Sequence, residues 1–242
     1  MAVDDSYTKS LLHFDGFNNT PNFTDESGKA WTSYSAYLDT SVYKFGTSSG
    51  LFNGGASLST PDHADFNFGS GDFTVDFWLR PSSVGQGNSS VIFAKFSNAT
   101  QYSPISITQG PGSYNILLYM STGAGWNLVN AATIGTSVQN TWCHIAVSRQ
   151  STNVYYFFNG ILINTVPIST NVLYSAATPV WIGSGNYAST YFAGNIDEFR
   201  ISKGIARWTS SFNVAYGAYG WVVGNATRGR TRKCGNVDYR IS

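Results

Sequence analysis

The run Phe73-Thr74-Val75-Asp76-Phe77-Trp78-Leu79-Arg80 places an apolar side chain at every second position, with only Trp78 interrupting the polar ones between, and stops at Pro81. Period two is the repeat of an extended strand, so Phe73, Val75, Phe77 and Leu79 share one face, and Thr74, Asp76, Trp78 and Arg80 the other. Proline ends the run because it brings no N–H to a ladder. Such a strand demands a sheet with one side against a core and one side wet.

Similar short runs recur along the chain, at Ser10–Gly16, 50–59, Ser90–Phe96, Pro104–Thr108, Tyr114–Ser121, Trp142–Arg149, Val154–Phe158, Gly160–Pro167, Val180–Gly183 and 194–201. Asn159-Gly160 is a hairpin signal, and Asp62–Phe66 reads as a brief helical turn or loop. No segment shows a convincing helical period. About a dozen short strands separated by turns predict an all-β, antiparallel two-sheet sandwich of the jelly-roll kind. Aromatic residues make up 16% of the chain, and only 11% of residues are charged, against roughly 25% in an average soluble domain. The surface is therefore expected to consist of Ser, Thr, Asn and Tyr.

Gly194-Asn195-Ile196-Asp197-Glu198-Phe199-Arg200-Ile201 carries the sharpest chemical question. Unbroken alternation would place Asp197 with Phe199 and Ile201 on the core side, and Glu198 with Arg200 on the other. A carboxylate on an inward face needs backbone N–H groups, a cation or a metal ion to offset the loss of water. Arg200 or Lys203 could pair with it. Hard oxygen ligands also suit calcium, and Asp197 with Asp15 and a carbonyl of the 46–50 turn would supply them.

Enzymatic classes find little support. The chain has only two glutamates, Glu26 and Glu198. A glycosidase needs two carboxyl groups facing each other across a bond, whereas adjacent Asp197 and Glu198 are expected on opposite faces. The histidines His13, His63 and His144 lie in no nucleophile motif. Cys143 and Cys234 form neither a zinc pattern nor a disulfide framework. Catalytic residues and cofactors other than one structural calcium are not expected. For ligand binding, the candidates are Asp76, Trp78 and Arg80 on the outward face of their strand, Trp126 in a glycine-rich loop, and Tyr187 and Tyr191 before Gly194.

Charge is unevenly distributed. Residues 1–219 carry a net −3, whereas 220–242 carry +4 through Arg228, Arg230, Arg232, Lys233 and Arg240. The last stretch is too poor in apolar residues to fold by itself, so it is expected to be an assembly tail. Nucleic acid is the less favoured partner, since no aromatic interleaving or groove-reading element accompanies the charges. The start has neither a basic nor an apolar signal-peptide region, and no apolar run reaches the ~20 residues of a membrane span. The expected organisation is an arm over 1–9, one sandwich domain over 10–217, and a basic C-terminal extension over 218–242.

The ordered motifs resemble the laminin-G-like, concanavalin A-like jelly-roll family: Phe14-Asp15-Gly16, Phe52-Asn53-Gly54, the strand at 73–81, Trp142-Cys143-His144-Ile145-Ala146-Val147, Phe158-Asn159-Gly160, Ile182-Gly183 and Gly194–Arg200. The resemblance covers about residues 10–217. It implies two curved sheets, sugar or protein binding on a concave face and rim loops, and one structural calcium. Together with the tail and the absent signal, it resembles bacteriophage virion proteins that carry such domains. The expectation is a non-enzymatic virion decoration, head-fibre or tail-adhesion protein, made in the host cytoplasm, homo-oligomeric, contacting other virion proteins and a host-surface glycan. The alternative is a free-standing carbohydrate-binding or adhesion module.

Overall fold

In the computed structural model, the described residues are 5–85, 89–95, 102–175, 177–185 and 190–214. They form fifteen strands and one short 3-10 turn, Ala64–Phe66. The strands are β1 (Thr8–Leu12), β2 (Thr32–Tyr34), β3 (Tyr37–Asp39), β4 (Ser49–Asn53), β5 (Ser57–Thr60), β6 (Phe73–Pro81), β7 (Ser90–Lys95), β8 (Ile105–Gln109), β9 (Asn115–Met120), β10 (Val129–Thr136), β11 (Cys143–Gln150), β12 (Asn153–Phe158), β13 (Ile161–Pro167), β14 (Val180–Ile182) and β15 (Ala193–Lys203). None of the described helices is long and apolar enough to cross a membrane.

Two antiparallel sheets pack face to face. The first runs β13-β12-β11-β6-β15-β4-β3, with β1 also paired to β15, and the second runs β10-β9-β8-β7-β14-β5-β2. The jelly-roll expectation is thereby met. Inward residues of both sheets form one continuous core that includes Phe77, Leu79, Ile107, Leu118, Val147, Ile182 and Phe199. Burying each such side chain is worth about 1.5–3 kcal/mol, so the described residues hold together with no disulfide among them. Cys143 is a free, buried thiol, pushed up to about 12 by burial. Cys234 lies outside the described residues.

Three strands escape a reading by alternation. β2 and β3 have only three residues each. β10 changes register twice against β9, between Val129 and Ala132 and again between Thr133 and Gly135, which breaks its two-residue period.

The expected faces of β15 also need correction. Asp197 pairs with Trp78 and Arg200 with Asp76, so three steps along β15 answer two along β6. Glu198 sits at this bulge with φ 51°, a left-handed conformation that strains a residue with a side chain. The extra residue shifts the phase of the strand. Ile196 lies in the core before the bulge, and Phe199 and Ile201 after it. Asp197 is consequently not beside Phe199 on the core side, but on the outward face opposite Trp78.

Candidate functional site

The outward face of the β6 sheet holds Asp76, Trp78, His144, Asp197 and Arg200, and it is not wet. Asp76 is 0% and Trp78 5% exposed. Two segments cover it. On one side the 43–48 turn lays Phe45 edge-on to Trp78, with ring centroids 5.6 Å apart, and sets the Lys44 ammonium 4.3 Å from the Trp78 ring. On the other, the chain after β15 stacks Trp208 on Phe212 at 3.9 Å, and both rings meet the His144 imidazole edge-on. The Arg200 guanidinium lies 5.7 Å from the Trp208 ring.

Beneath this roof the charges are paired. Arg200 donates to both Asp76 oxygens, Nε to Oδ1 at 3.0 Å and Nη2 to Oδ2 at 2.8 Å, and His144 Nε2 lies 3.7 Å from Oδ2. Burial works to raise the Asp76 carboxyl, but the Arg200 charge and the hydrogen bonds from His144 and Arg200 outweigh it and hold the group well below the usual carboxylate range. The roof is pinned by Arg207, whose guanidinium donates to Asp5 at 3.0 and 3.2 Å, to Ser202 Oγ at 2.7 Å and to Thr8 Oγ1 at 3.0 Å. The predicted trio is thus divided. Asp76 and Trp78 are interior, which corrects the expectation of an open platform, and Arg80, half-buried, donates to Asn195 Oδ1 at 3.5 Å. A covered guanidinium–carboxylate pair cannot meet a sugar from solvent.

Asp197 Oδ2 accepts from the backbone N–H groups of Lys44 at 2.8 Å and Phe45 at 3.1 Å, while buried Oδ1 has no partner. Burial, reinforced by the nearby Glu198 charge, raises this carboxyl well above its ordinary value despite those N–H groups. Exposed Asp15 holds the same turn, accepting from Thr47 N at 2.5 Å and Thr47 Oγ1 at 3.0 Å. Gly46 has φ +65°, and a Cβ there would collide with the Asp15 carboxylate. Asp15 and Asp197 therefore clasp one turn. No group of three or more His, Cys, Asp or Glu residues suited to a metal occurs among the described residues. Glu198, the other acid of the pair, meets His13 Nδ1 at 2.8 Å. Burial acts to lower the His13 imidazole, but the hydrogen bond and charge of Glu198, helped by Glu26 and Asp15, raise it overall.

Trp126 stands in a different setting. It is part of an aromatic cluster at the end of β9, 5.1 Å from the Tyr119 ring and 5.3 Å, edge-on, from the Tyr102 ring. Trp126 and Tyr119 are half-buried and Tyr102 is exposed, so ring faces and edges remain available to a ligand. Around them, Asn127 Nδ2 donates to Thr122 Oγ1 at 2.7 Å, and Ser121 Oγ donates to the Gly125 carbonyl, closing the loop that presents the indole. Gly123 takes φ +106°, and a side chain there would press on Tyr174. The glycine-rich loop was legible in sequence. Its partners Tyr119 and Tyr102 were not, because they come from a strand and a loop that only the fold brings near. Half-buried Tyr191 lies apart from this cluster, bridged to Val91 at the start of β7. Tyr187 and the tail residues Arg228, Arg230, Arg232, Lys233 and Arg240 lie outside the described residues.

Comparison with known proteins accords with this architecture. Among solved structures, the binding domain of Paraclostridial Mosquitocidal Protein 1 superposes with a TM-score of 0.65 at 14% identity, covering 86% of this chain and 50% of that one. Domain 4 of AbnA, an extracellular arabinanase from Geobacillus stearothermophilus, in complex with arabinotriose, gives 0.64 at 19% identity, covering 82% and 93%. The ligand binding domain of botulinum neurotoxin serotype D, in complex with N-acetylneuraminic acid, gives 0.59 at 16% identity, covering 85% and 49%. At these identities the likeness is one of fold. In sequence, adhesion G-protein coupled receptor V1 of Danio rerio is 24% identical over 133 residues, which are 54% of this chain and 2% of the receptor. The profile of the laminin-G family described as the concanavalin A-like lectin/glucanases superfamily matches residues 52–207. The match spans β5 to β15 and ends at Arg207, so it takes in strands of both sheets, and the chain belongs to that family.

Proposed function

We propose that this chain is a non-catalytic binding module that contacts glycans through the Trp126–Tyr119–Tyr102 cluster. The observation that carries the reading is the partial exposure of three converging aromatic rings, Trp126 on a loop braced by its own hydrogen bonds, Tyr119 on β9 and Tyr102 before β8. Rigid aromatic surface beside hydroxyl and amide groups is the usual composition of a small-molecule site. The separate engagements of Asp197, Glu198 and Asp76 favour binding over hydrolysis, since each acid is committed to backbone N–H groups, to His13 or to Arg200. The arabinanase domain holding arabinotriose and the toxin domain holding N-acetylneuraminic acid are consistent with a fold that presents sugar sites.

A calcium ion is proposed at the 43–48 turn. Asp197 Oδ1, Asp15 and intervening carbonyls are oxygen donors of the right kind, and the ion would neutralise the buried carboxylate. For the biological setting, we infer a virion decoration, head-fibre or tail-adhesion role, with Arg228 to Arg240 facing an acidic surface in the assembly. The match to an adhesion receptor favours a free-standing adhesion module as the second reading. Removing 220–242 separates the two, because a virion protein so anchored would no longer enter its particle. The sugar reading is tested on a glycan array: Trp126→Ala should lose the bound features of the wild type at unchanged melting temperature, and a wild type that binds no glycan defeats the reading.

A further inference from the structure

Lys95 closes β7 with its side chain turned inward. It shares the parity of Phe93, which lies in the core, and stands opposite Val180 of β14, another core residue. Its backbone N–H donates to Ser103 Oγ at 3.2 Å, and its carbonyl accepts from the same hydroxyl at 3.3 Å. The side chain is 2% exposed. A lysine is almost never buried to that degree without a partner. Here two groups of the connection between β5 and β6 meet it: Nζ donates to Asn67 Oδ1 at 2.6 Å and lies 2.8 Å from Asp62 Oδ1.

The fold fixes all three side chains. Asn67 sits between Phe66 and Phe68, both buried, and Phe68 stacks on Phe73 at the start of β6 with ring centroids 4.4 Å apart. The Asn67 N–H donates to the Ala64 carbonyl at 3.2 Å and so ends the short 3-10 turn. The neighbouring acid Asp65 is committed to Lys29 at 2.8 Å, and Asp62, its side chain 31% exposed, is the carboxylate at the lysine. An amine within hydrogen-bond reach of both a carboxamide and a carboxylate has the parts of an acyl transfer: nucleophile, electrophile and proton carrier.

We propose that Lys95 and Asn67 join in an intramolecular isopeptide bond, with Asp62 as the base. The Lys95 ammonium passes one proton to Asp62, and the neutral amine attacks Asn67 Cγ, one bond beyond the oxygen that Nζ already touches. The Nζ–Cγ bond forms. Asp62 then gives its proton to Nδ2 and takes a second proton from Nζ, the Cγ–Nδ2 bond breaks, and Nδ2 leaves as ammonia, which carries off the last proton from Asp62 as ammonium. One ammonium is consumed and one released, and no oxidant or reductant takes part. Holding the groups in contact replaces a bimolecular encounter, which is what lets a poor electrophile such as a carboxamide react. The bond ties β7 to a connection 28 residues away in sequence, and it is independent of any sugar site.

The intact mass of the purified full chain tests this. The wild type should be lighter than its sequence by one ammonia. Tandem mass spectrometry of a tryptic digest should show the peptide that holds Asn67 joined to the one that holds Lys95, with no cleavage after Lys95. Asp62→Asn should keep the full sequence mass and the circular dichroism of the wild type, and should melt about 10 °C lower, because the open chain regains the entropy that the link removes. Lys95→Met, which lacks the nucleophile, should also keep the full mass. A folded wild type that retains its full sequence mass after days at pH 8 overturns the proposal. So does an ammonia loss that persists in Lys95→Met, or one that maps to Asn53-Gly54 or Asn159-Gly160 instead of the Lys95–Asn67 pair. A link that still forms in Asp62→Asn removes Asp62 as the base.

Discussion

The two outward faces of the sandwich begin from the same sequence rule and are closed in different ways. On the β6 sheet the outward positions hold charges, namely Asp76, Arg200 and Asp197, and the chain folds back over them. On the β7 sheet the outward positions Ser106, Ala94, Trp181 and Ser59 are buried without any charge among them, and rings with exposed surface stand only beyond them, at Tyr102 and Tyr34. A face with charges can be closed only if every charge finds a partner within it, and that constraint turns its polar residues into structure. A face without charges carries no such obligation: its short side chains and Trp181 pack away without ion pairs, and exposed ring surface stands only beyond them, at Tyr102 and Tyr34.

The largest test of this contrast is Asp76→Asn, which removes the bidentate partner of the buried Arg200 guanidinium. A cost of about 3 kcal/mol or more is expected, read by urea unfolding. A loss under 1 kcal/mol would mean that the covered face is looser than its geometry. The second test concerns the turn that covers Trp78. Calcium should raise the melting temperature of the wild type and leave that of Asp197→Asn unchanged, and an identical response of the two proteins would remove the ion from this turn.

The smallest expected effect concerns His13. Its imidazole is raised in the folded chain, so the contribution of the His13–Glu198 pair is fully present below the unfolded value near 6.5 and is lost as pH rises through the folded value. The advantage of the wild type over His13→Gln should be about 1 kcal/mol or less at pH 5.5 and should shrink toward pH 8.5, followed by thermal melts. An advantage that grows with pH would reverse the assignment.

The sandwich was legible because its strands announce themselves locally. Phe73–Arg80 needs only its own alternation to be read. What escaped depends on the neighbours of a residue. The bulge at Glu198 inserts one residue with no composition signal, and it moves Asp197 from one side of the sheet to the other. The roof was equally hidden: nothing in the spacing of Trp208 and Phe212 beyond the last strand says that they lie against His144. Trp78 on a polar face was therefore read as a platform, although a covering loop fills that place. The Trp126 loop could be singled out from its glycines, whereas its partner rings Tyr119 and Tyr102 are brought to it only by the fold.

The place of β15 also governs how such a chain can fold. The strand lies between β6 and β4 and pairs with β1, so Leu12 meets Phe199 across most of the chain. A polypeptide emerging from the ribosome cannot complete the β6 sheet until residues near 200 have appeared, and until then the edges of β6, β4 and β1 are open. Contacts of such long sequence separation place folding in the slow range for small β-proteins, milliseconds to seconds, and make the nascent chain dependent on prompt delivery of its final strand.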